Sequence, residues 1–143
     1  MGYKCKICGF ELWNYIEDHG ILVTSNLGLY NDGRFPGRCI LALFSHYTEL
    51  TRIDPDILPE FMLDVQAAGK AIQEATGADR MNYAILGNAE PHIHCHIIPR
   101  FWKDDPNPNS TPWSRDDEAW EMSKERCKEI MKNIRSHLRR IGE

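Results

Sequence analysis

The chain has 143 residues, 42% of them hydrophobic and 27% charged, a composition typical of one globular domain with its own core. Its formal net charge of −4 provides no broad basic surface, which argues against binding to nucleic acid through phosphate neutralisation. No segment has the length and hydrophobicity of a membrane span, and the N-terminus lacks a signal-peptide core, so we expect a cytoplasmic protein that does not bind membranes.

Short strands are predicted along the first third of the chain. Their segments are rich in β-branched and aromatic residues, and Asp-His-Gly and Asn-Asp-Gly turn signals lie between them, which indicates antiparallel pairing. The predicted strands are residues 11–16, 20–26, 27–31 and 37–44.

A long helix is predicted next. Asp54 suits its N-cap, Pro55 its first position and Gly77 its C-terminal end. Apolar residues recur between these positions at helical spacing, so one face of the helix should pack on the sheet. Those residues are Leu58, Phe61, Met62, Val65, Ala68 and Ile72.

The second half of the chain predicts two further strands, residues 82–88 and 92–99, joined by a tight turn. Residues 103–113 have the prolines and turn-forming residues of an irregular loop, and Ser114 is predicted to cap a last helix. Apolar residues trace a partial stripe along that helix, at Met122, Ile130, Ile134, Leu138 and Ile141. Together these elements predict an α+β fold: an antiparallel sheet of about five strands, a long helix packed on it and an additional C-terminal helix.

The predicted strand 92–99 carries three of the chain's six histidines at alternate positions. Because side chains alternate across a strand, His92, His94 and His96 share one face and the apolar residues between them share the other. Burying three imidazoles together is costly unless each finds a partner, so function explains this pattern better than packing does. Two chemistries use such a face: ligation of a transition metal, and nucleophilic attack on phosphorus by one imidazole that its neighbours orient.

Cys5 and Cys8 form a Cys-x-x-Cys pair before the first predicted strand. Thiol-disulfide chemistry needs such a pair after a strand and at a helix N-terminus, and disulfides are not expected in a reducing compartment. Zinc suits the pair better, and a closed tetrahedral site then needs two further ligands. A pair of reduced thiols without metal is the alternative.

The histidines lie in the segment LGNAEPHIHCHIIPRF, residues 86–101, which resembles the signature of the histidine-triad (HIT) family and of its bacterial branch. The likeness extends upstream to FPGRCILALFSHYTEL, residues 35–50, and downstream to Asp104, Asp105 and the Pro-Trp pair at 112–113. It covers about residues 3–113. The resemblance therefore implies one HIT-like domain over residues 1–143, with its core at about 3–113 and a helical extension at about 114–142.

The resemblance also implies an activity. The middle histidine of the family's triad attacks the α-phosphate of a nucleotide and forms a nucleotidyl-histidine intermediate, and in this chain that residue is His94. His96 would contact the transferred phosphate or the leaving group, and the backbone carbonyl of His92 would hold the other ring nitrogen of His94. We therefore expect a nucleotide hydrolase or nucleotidyl transferase that acts on a dinucleoside polyphosphate, a nucleoside phosphoramidate or a related nucleotide.

Substrate contacts are implied less directly. Asn88 is a candidate donor to phosphate or histidine, and Asn31 best fits the family's ribose-binding position, with Asp32 as the alternative, although Asn-Asp-Gly is also a good turn. Many family members have a fourth histidine where this chain has Arg38, and they have a polar loop before the triad that this chain lacks. Arg38 is a candidate phosphate-binding cation in its place, or a surface residue near Arg34.

Some bacterial members of the family complete a zinc site with the histidine before the long helix and the first histidine of the triad. The implied ligands here are Cys5, Cys8, His46 and His92, which hold a structural zinc ion, and no organic cofactor is expected. The resemblance further implies a homodimer. Two other functions stay open: a catalytically weak nucleotide-binding or regulatory module, and a zinc-binding protein without turnover.

Overall fold

The computed structural model describes residue 5, the backbone of residues 15–16, and residues 22–115 and 117–141. Its strands form one antiparallel sheet in the order β1-β2-β3-β5-β4, so β5 is internal. The strands are β1 (Tyr15–Ile16), β2 (Ser25–Leu29), β3 (Cys39–Leu43), β4 (Arg80–Ala84) and β5 (His94–Arg100). Two helices, α1 (Leu58–Thr76) and α2 (Lys124–His137), complete the predicted α+β fold, which is confirmed.

Three of the differences between the predicted and the observed strand boundaries have a clear physical reason. Strand β2 crosses the predicted break between residues 26 and 27, because it pairs with β3 along its whole length. Strand β4 begins and ends earlier than predicted, and Gly87, at φ 61°, lies in the left-handed region that ends extended backbone. Strand β5 begins at His94 because the N–H of Ile93 donates to Tyr47 instead of to a sheet neighbour. Residues 11–14 of the first predicted strand lie outside the described residues.

Helix α1 ends as predicted, with Gly77 at φ 72° and its N–H bonded to the carbonyl of Gln73. The predicted start was wrong. The chain makes a separate turn at Asp54, whose carbonyl accepts from the N–H of Ile57, and the helix begins at Leu58. Pro59, not Pro55, lies in its first turn, where the missing N–H needs no partner.

Helix α2 begins later than predicted. Ser123 caps it by accepting the N–H of Arg126 at 3.1 Å, whereas Ser114 ends a short 3₁₀ turn (Pro112–Ser114). The prediction that Ser114 caps the helix was therefore wrong. Ile141 lies beyond the helix and is 54% exposed, whereas the other members of the predicted apolar stripe are buried: Met122, Ile130, Ile134 and Leu138.

Both helices contribute to one core on one face of the sheet. The core joins Leu41 and Ile97 from the sheet to Phe61 of α1 and Ile134 of α2. The opposite face carries the histidines, because Ala42 pairs with His94 and Ile40 pairs with His96. Among the described residues, no helix combines the length and apolar composition that crossing a bilayer requires. One face of the sheet therefore packs against the helices, and the other face carries the histidines.

Candidate functional site

His94 is the first residue of β5 and is only 5% exposed. Its Nδ1 lies 2.5 Å from the carbonyl oxygen of His92. A carbonyl only accepts, so Nδ1 carries the proton and donates it, and Nε2 keeps its lone pair. The backbone thus selects the tautomer that leaves Nε2 as a nucleophilic nitrogen.

His96 lies between three aromatic rings. Its ring meets that of His94 edge-on at a centroid distance of 5.0 Å and that of Trp113 at 5.7 Å, and it stacks on Tyr30 at 6.3 Å. Burial, followed by the charges of His94 and Arg38, lowers the pKa of His96 to about 4. His96 is therefore neutral at pH 7 and can donate a hydrogen bond without carrying a charge.

Two of these contacts were missed at the sequence level. Tyr30 follows β2 and Trp113 lies in the loop after β5, and both rings border His96. Trp113 belongs to the Pro-Trp pair of the resemblance, which assigned it no role. Tyr30 had one usable signal: it lies two residues after Gly28, on the face of the sheet that carries the histidines.

A second cluster lies beside the triad. Cys5, His46 and His92 each place one ligand atom within 4.8 Å of the others. His92 Nδ1 is 3.4 Å from Cys5 Sγ and 3.0 Å from His46 Nδ1. A tetrahedral zinc ion would separate two ligand nitrogens by about 3.3 Å and a nitrogen from a sulfur by about 3.6 Å. The donor atoms therefore fit zinc in type and spacing, and Cys8, the fourth predicted ligand, lies outside the described residues.

The ring of His92 is oriented for this cluster. Its Nε2 lies 2.8 Å from the carbonyl oxygen of Leu43, so Nε2 carries the proton and Nδ1 presents a lone pair to Cys5 and His46. Burial of the ring lowers the pKa of His92, which favours the neutral form that a metal requires. His92 therefore contributes to both sites, because its side chain faces the cluster and its backbone carbonyl accepts the hydrogen bond from His94.

The predicted substrate residues are spread apart. The side-chain carbonyl of Asn31 accepts from the N–H of Met122 at 2.6 Å and from the thiol of Cys127 at 3.6 Å, so it faces the segment that leads into α2. Asn88 is exposed in the turn before the triad. Arg38 lies near the triad, with its guanidinium 4.6 Å from the ring centroid of Tyr30.

Comparison with known proteins agrees with this geometry. The family model of the HIT domain matches residues 28–103, more than half of the chain. A histidine triad protein from Bradyrhizobium japonicum superposes with a TM-score of 0.75 at 23% identity, over 86% of this chain and 90% of that one. A Zn-bound histidine triad family protein from Mycobacterium smegmatis gives 0.61 at 19% identity, over 94% and 90% of the two chains.

A diadenosine triphosphate hydrolase from Plasmodium falciparum, in complex with Cyclomarin A, gives a TM-score of 0.60 at 18% identity, over 89% of this chain and 82% of that one. A sequence comparison with curated proteins gives no match. The structural likenesses show that the fold is shared, and the family match rests on the sequence itself.

Proposed function

We propose that this chain, which belongs to the HIT domain family of nucleotide hydrolases and transferases, acts at the α-phosphate of a nucleotide through a covalent nucleotidyl-histidine intermediate on His94. The observation that carries the proposal is the bond from His94 Nδ1 to the carbonyl of His92, at 2.5 Å. This bond leaves Nε2 unprotonated and holds the ring in place, which is what a histidine nucleophile needs.

Two displacements at phosphorus complete the reaction. In the first, Nε2 of His94 bonds to the α-phosphorus, the bond to the leaving group breaks, and the leaving group takes the electron pair. The positive charge on the ring is stabilised by the Nδ1–H bond to His92. In the second, water or another acceptor bonds to phosphorus, the phosphorus–nitrogen bond breaks, the electron pair returns to Nε2, and the acceptor releases its proton to solvent. His96, neutral at pH 7, donates to a phosphate oxygen in both steps.

The proposed substrates are dinucleoside polyphosphates, nucleoside phosphoramidates and related nucleotides. The fold shared with a diadenosine triphosphate hydrolase supports the first class. Asn88 and Arg38 remain proposed substrate contacts. Asn31 as a ribose ligand stays a prediction, since its side-chain carbonyl already accepts from Met122 and Cys127.

The test is a panel of diadenosine polyphosphates and adenosine 5′-phosphoramidates labelled in the adenosine. We expect turnover of at least one compound, together with an acid-labile adduct on the chain after rapid quenching, because phosphorus–nitrogen bonds to imidazole hydrolyse in acid. If no compound in the panel gives either turnover or an adduct, the proposal is contradicted. Tight binding of AMP in that case would favour the alternative, a nucleotide-binding or regulatory module.

We also propose a structural zinc ion held by Cys5, Cys8, His46 and His92. The spacing of the three described ligand atoms and the orientation of His92 support it. Four protein ligands leave no position for water, so the ion would tie the N-terminal segment to the sheet and take no part in the displacement. The second alternative, zinc binding without turnover, assigns no role to His94 and His96, neither of which belongs to the cluster.

Zinc removal gives a direct prediction. Purified protein should contain about one zinc per chain, and Cys5→Ser or His46→Ala should lose it and lower the melting temperature, because the binding free energy of a structural metal is folding free energy. His137→Ala is the matched control, since His137 is a partly exposed imidazole on α2, away from the cluster. Elemental analysis of protein prepared without chelators measures the zinc content of each protein, and thermal melting measures the loss of stability. A wild-type protein without metal would contradict the proposed zinc site.

We propose that residues 1–143 form one domain in the cytoplasm. The C-terminal helical extension supports a single domain, because Cys127, Ile130 and Ile134 of α2 are buried in the same core as α1 and the sheet. The buried cysteines 39, 95 and 127 are free thiols, which is compatible with a reducing compartment.

We propose that the chain forms a homodimer through the edge of β4 and the adjoining face of α1. Strand β4 is an edge of the described sheet, and apolar side chains are exposed around it: Met62 at 48%, Leu63 at 44%, Tyr83 at 50% and Leu86 at 51%. A cavity of about 510 Å³ opens on this surface beside Met62 and Tyr83. A symmetric partner would cover this edge and prevent uncontrolled pairing.

Light scattering at low micromolar concentration should give a mass near twice the chain's 16.6 kDa. Met62→Glu should shift the protein toward the monomer, because it buries a charge in the proposed interface. Ile141→Glu is the control, since Ile141 is also exposed but lies beyond α2. A monomeric wild type that still turns over nucleotide would show that β4 does not pair.

A further inference from the structure

Two neighbouring arginines before β3, Arg34 and Arg38, meet a third from the chain after β5, Arg115, beside the triad. Arg34, Arg38 and Arg115 line one cavity of about 100 Å³. The remaining lining residues are Phe35, Ile98, Pro112 and Trp113. The cavity has room for roughly three water molecules, or for one group of the size of a phosphate.

The cavity is continuous with the catalytic face of the sheet. Ile98 is the next residue after His96 on the same face of β5. Trp113 lines the cavity, and its ring meets that of His96 edge-on at a centroid distance of 5.7 Å. The guanidinium of Arg38 lies over Tyr30, which stacks on His96. A ligand that reacts at His94 therefore has this cavity within reach along the strand.

The three cations are held in place. Their side chains are only 19% (Arg34), 18% (Arg38) and 10% (Arg115) exposed. Arg34 and Arg115 lie against the ring of Phe35, at 5.8 and 5.0 Å from its centroid. A guanidinium that is packed in this way loses little conformational entropy when it binds an anion.

Within residues 22–115 and 117–141, fewer carboxylates than guanidinium groups pair at this cavity. Asp32 is shared between Arg34 and Arg38, at 3.1 and 3.2 Å, and Asp117 pairs with Arg115 at 2.5 Å. Among the residues that the structure describes, two carboxylates are thus bonded to the three guanidinium groups. The Nε of Arg38 is also buried without a hydrogen-bond partner among the described residues. A buried donor without an acceptor is unfavourable, so the site favours a further acceptor, and the surrounding guanidinium groups favour an anion in that place.

Asp32 cannot serve a ribose while it is bound to two arginines. Its carboxylate accepts from the backbone N–H and the side chain of Arg34 and from Arg38. In dinucleotide sites of the Rossmann fold, which differs from this one, an acidic side chain receives ribose hydroxyls, whereas a nearby arginine receives a phosphate on the ribose. The two arginines around Asp32 resemble the second arrangement, in which arginine receives a phosphate.

We propose that Arg34, Arg38 and Arg115 form an anion subsite that takes a phosphate group of the substrate other than the phosphate that reacts at His94. The subsite rests on the proposed function, since it assigns a substrate class to the same site: nucleotides with at least two phosphate groups. The second phosphate has two sources, the ribose of the same nucleoside or the chain beyond the reacting phosphorus.

Calorimetric binding of three ligands tests the subsite and separates these sources. AMP has one phosphate, adenosine 3′,5′-bisphosphate has a second on the ribose, and ADP has a second in the chain. We expect one of the two doubly phosphorylated ligands to bind about tenfold tighter than AMP or better, the gain typical of one charge-assisted hydrogen bond. The ligand with the gain identifies the source of the second phosphate.

Variants assign the gain to the arginines. Arg38→Gln and Arg115→Gln should each reduce the affinity ratio to about one, and Arg38→Lys should keep only part of it because lysine lacks the Nε–H. Arg52→Gln is the charge-matched control, an exposed arginine in the turn before α1, and it should keep the full ratio. Thermal melting of each variant shows whether it is folded, and the Arg38→Lys result decides the matter if a glutamine variant does not fold.

Equal affinities for all three ligands, or a ratio that survives in every folded arginine variant, would overturn the subsite. These results are distinct from a failure of the proposed catalysis. A chain that shows the phosphate preference but turns over no substrate keeps the subsite and loses the reaction. If the chain turns over its substrate but shows no preference for a second phosphate, the proposed reaction stands and the subsite is wrong.

Discussion

Replacing His94 with alanine is expected to lower the turnover of the best nucleotide substrate by about 10⁴-fold or more, the scale of loss seen when a covalent nucleophile is removed. The reason is geometric. Among the three triad imidazoles only His94 has its Nδ1 held by the backbone carbonyl of His92, whereas the ring of His92 is bonded to Leu43 and faces the metal cluster. No neighbouring side chain can replace it.

The measurement is single-turnover kinetics with the substrate found in the panel. His137→Ala should retain wild-type turnover, because His137 is far along the chain on α2 and pairs with Glu74. His94→Gly with added imidazole should recover part of the activity, which a purely structural role of His94 would not allow. Near wild-type turnover by a folded His94→Ala protein would remove the covalent mechanism.

Replacing Asp64 with alanine should lower the free energy of unfolding by about 3–5 kcal/mol. Asp64 lies on α1, is 0% exposed, and its carboxylate receives donors from two other parts of the chain. The donors are the N–H groups of Val23 and Thr24, the hydroxyls of Thr24 and Ser25, and the guanidinium of Arg140. Alanine removes the acceptor of these donors, including the fully buried hydroxyl of Ser25, while Arg140 keeps its bonds to Glu60.

Glu60→Ala is the matched control for this result. Glu60 binds the same Arg140, but its side chain is 43% exposed, so we expect a loss below about 1 kcal/mol. Denaturant titration of the two variants gives the comparison. If both variants lose a similar amount of unfolding free energy, the burial of Asp64 does not strengthen its hydrogen bonds and ion pair.

The position of the histidines on one face of the sheet was predictable because it depends on a local rule. Side chains alternate along a strand, so the spacing of His94 and His96 places them together whatever the rest of the chain does. The end of α1 at Gly77 was predictable for a similar reason, since a left-handed C-cap is a property of one residue type. Where two residues of one type competed, as Pro55 and Pro59 did for the start of α1, local rules did not choose correctly.

The sequence by itself determined the α+β class and the face that carries the triad, because strand and helix periodicity act over a few residues. The candidate nucleophile, His94, came from the resemblance of its motif to the HIT family. Only the tertiary structure decided what surrounds that face. Arg34 and Arg115 line one cavity, and Asp64 bonds both Thr24 and Arg140, although long stretches of chain separate them. Such partners are chosen by the packing of whole elements, and buried polar groups must be satisfied by whatever that packing brings near. For the same reason Asn31, predicted to face the substrate, bonds to the chain before α2.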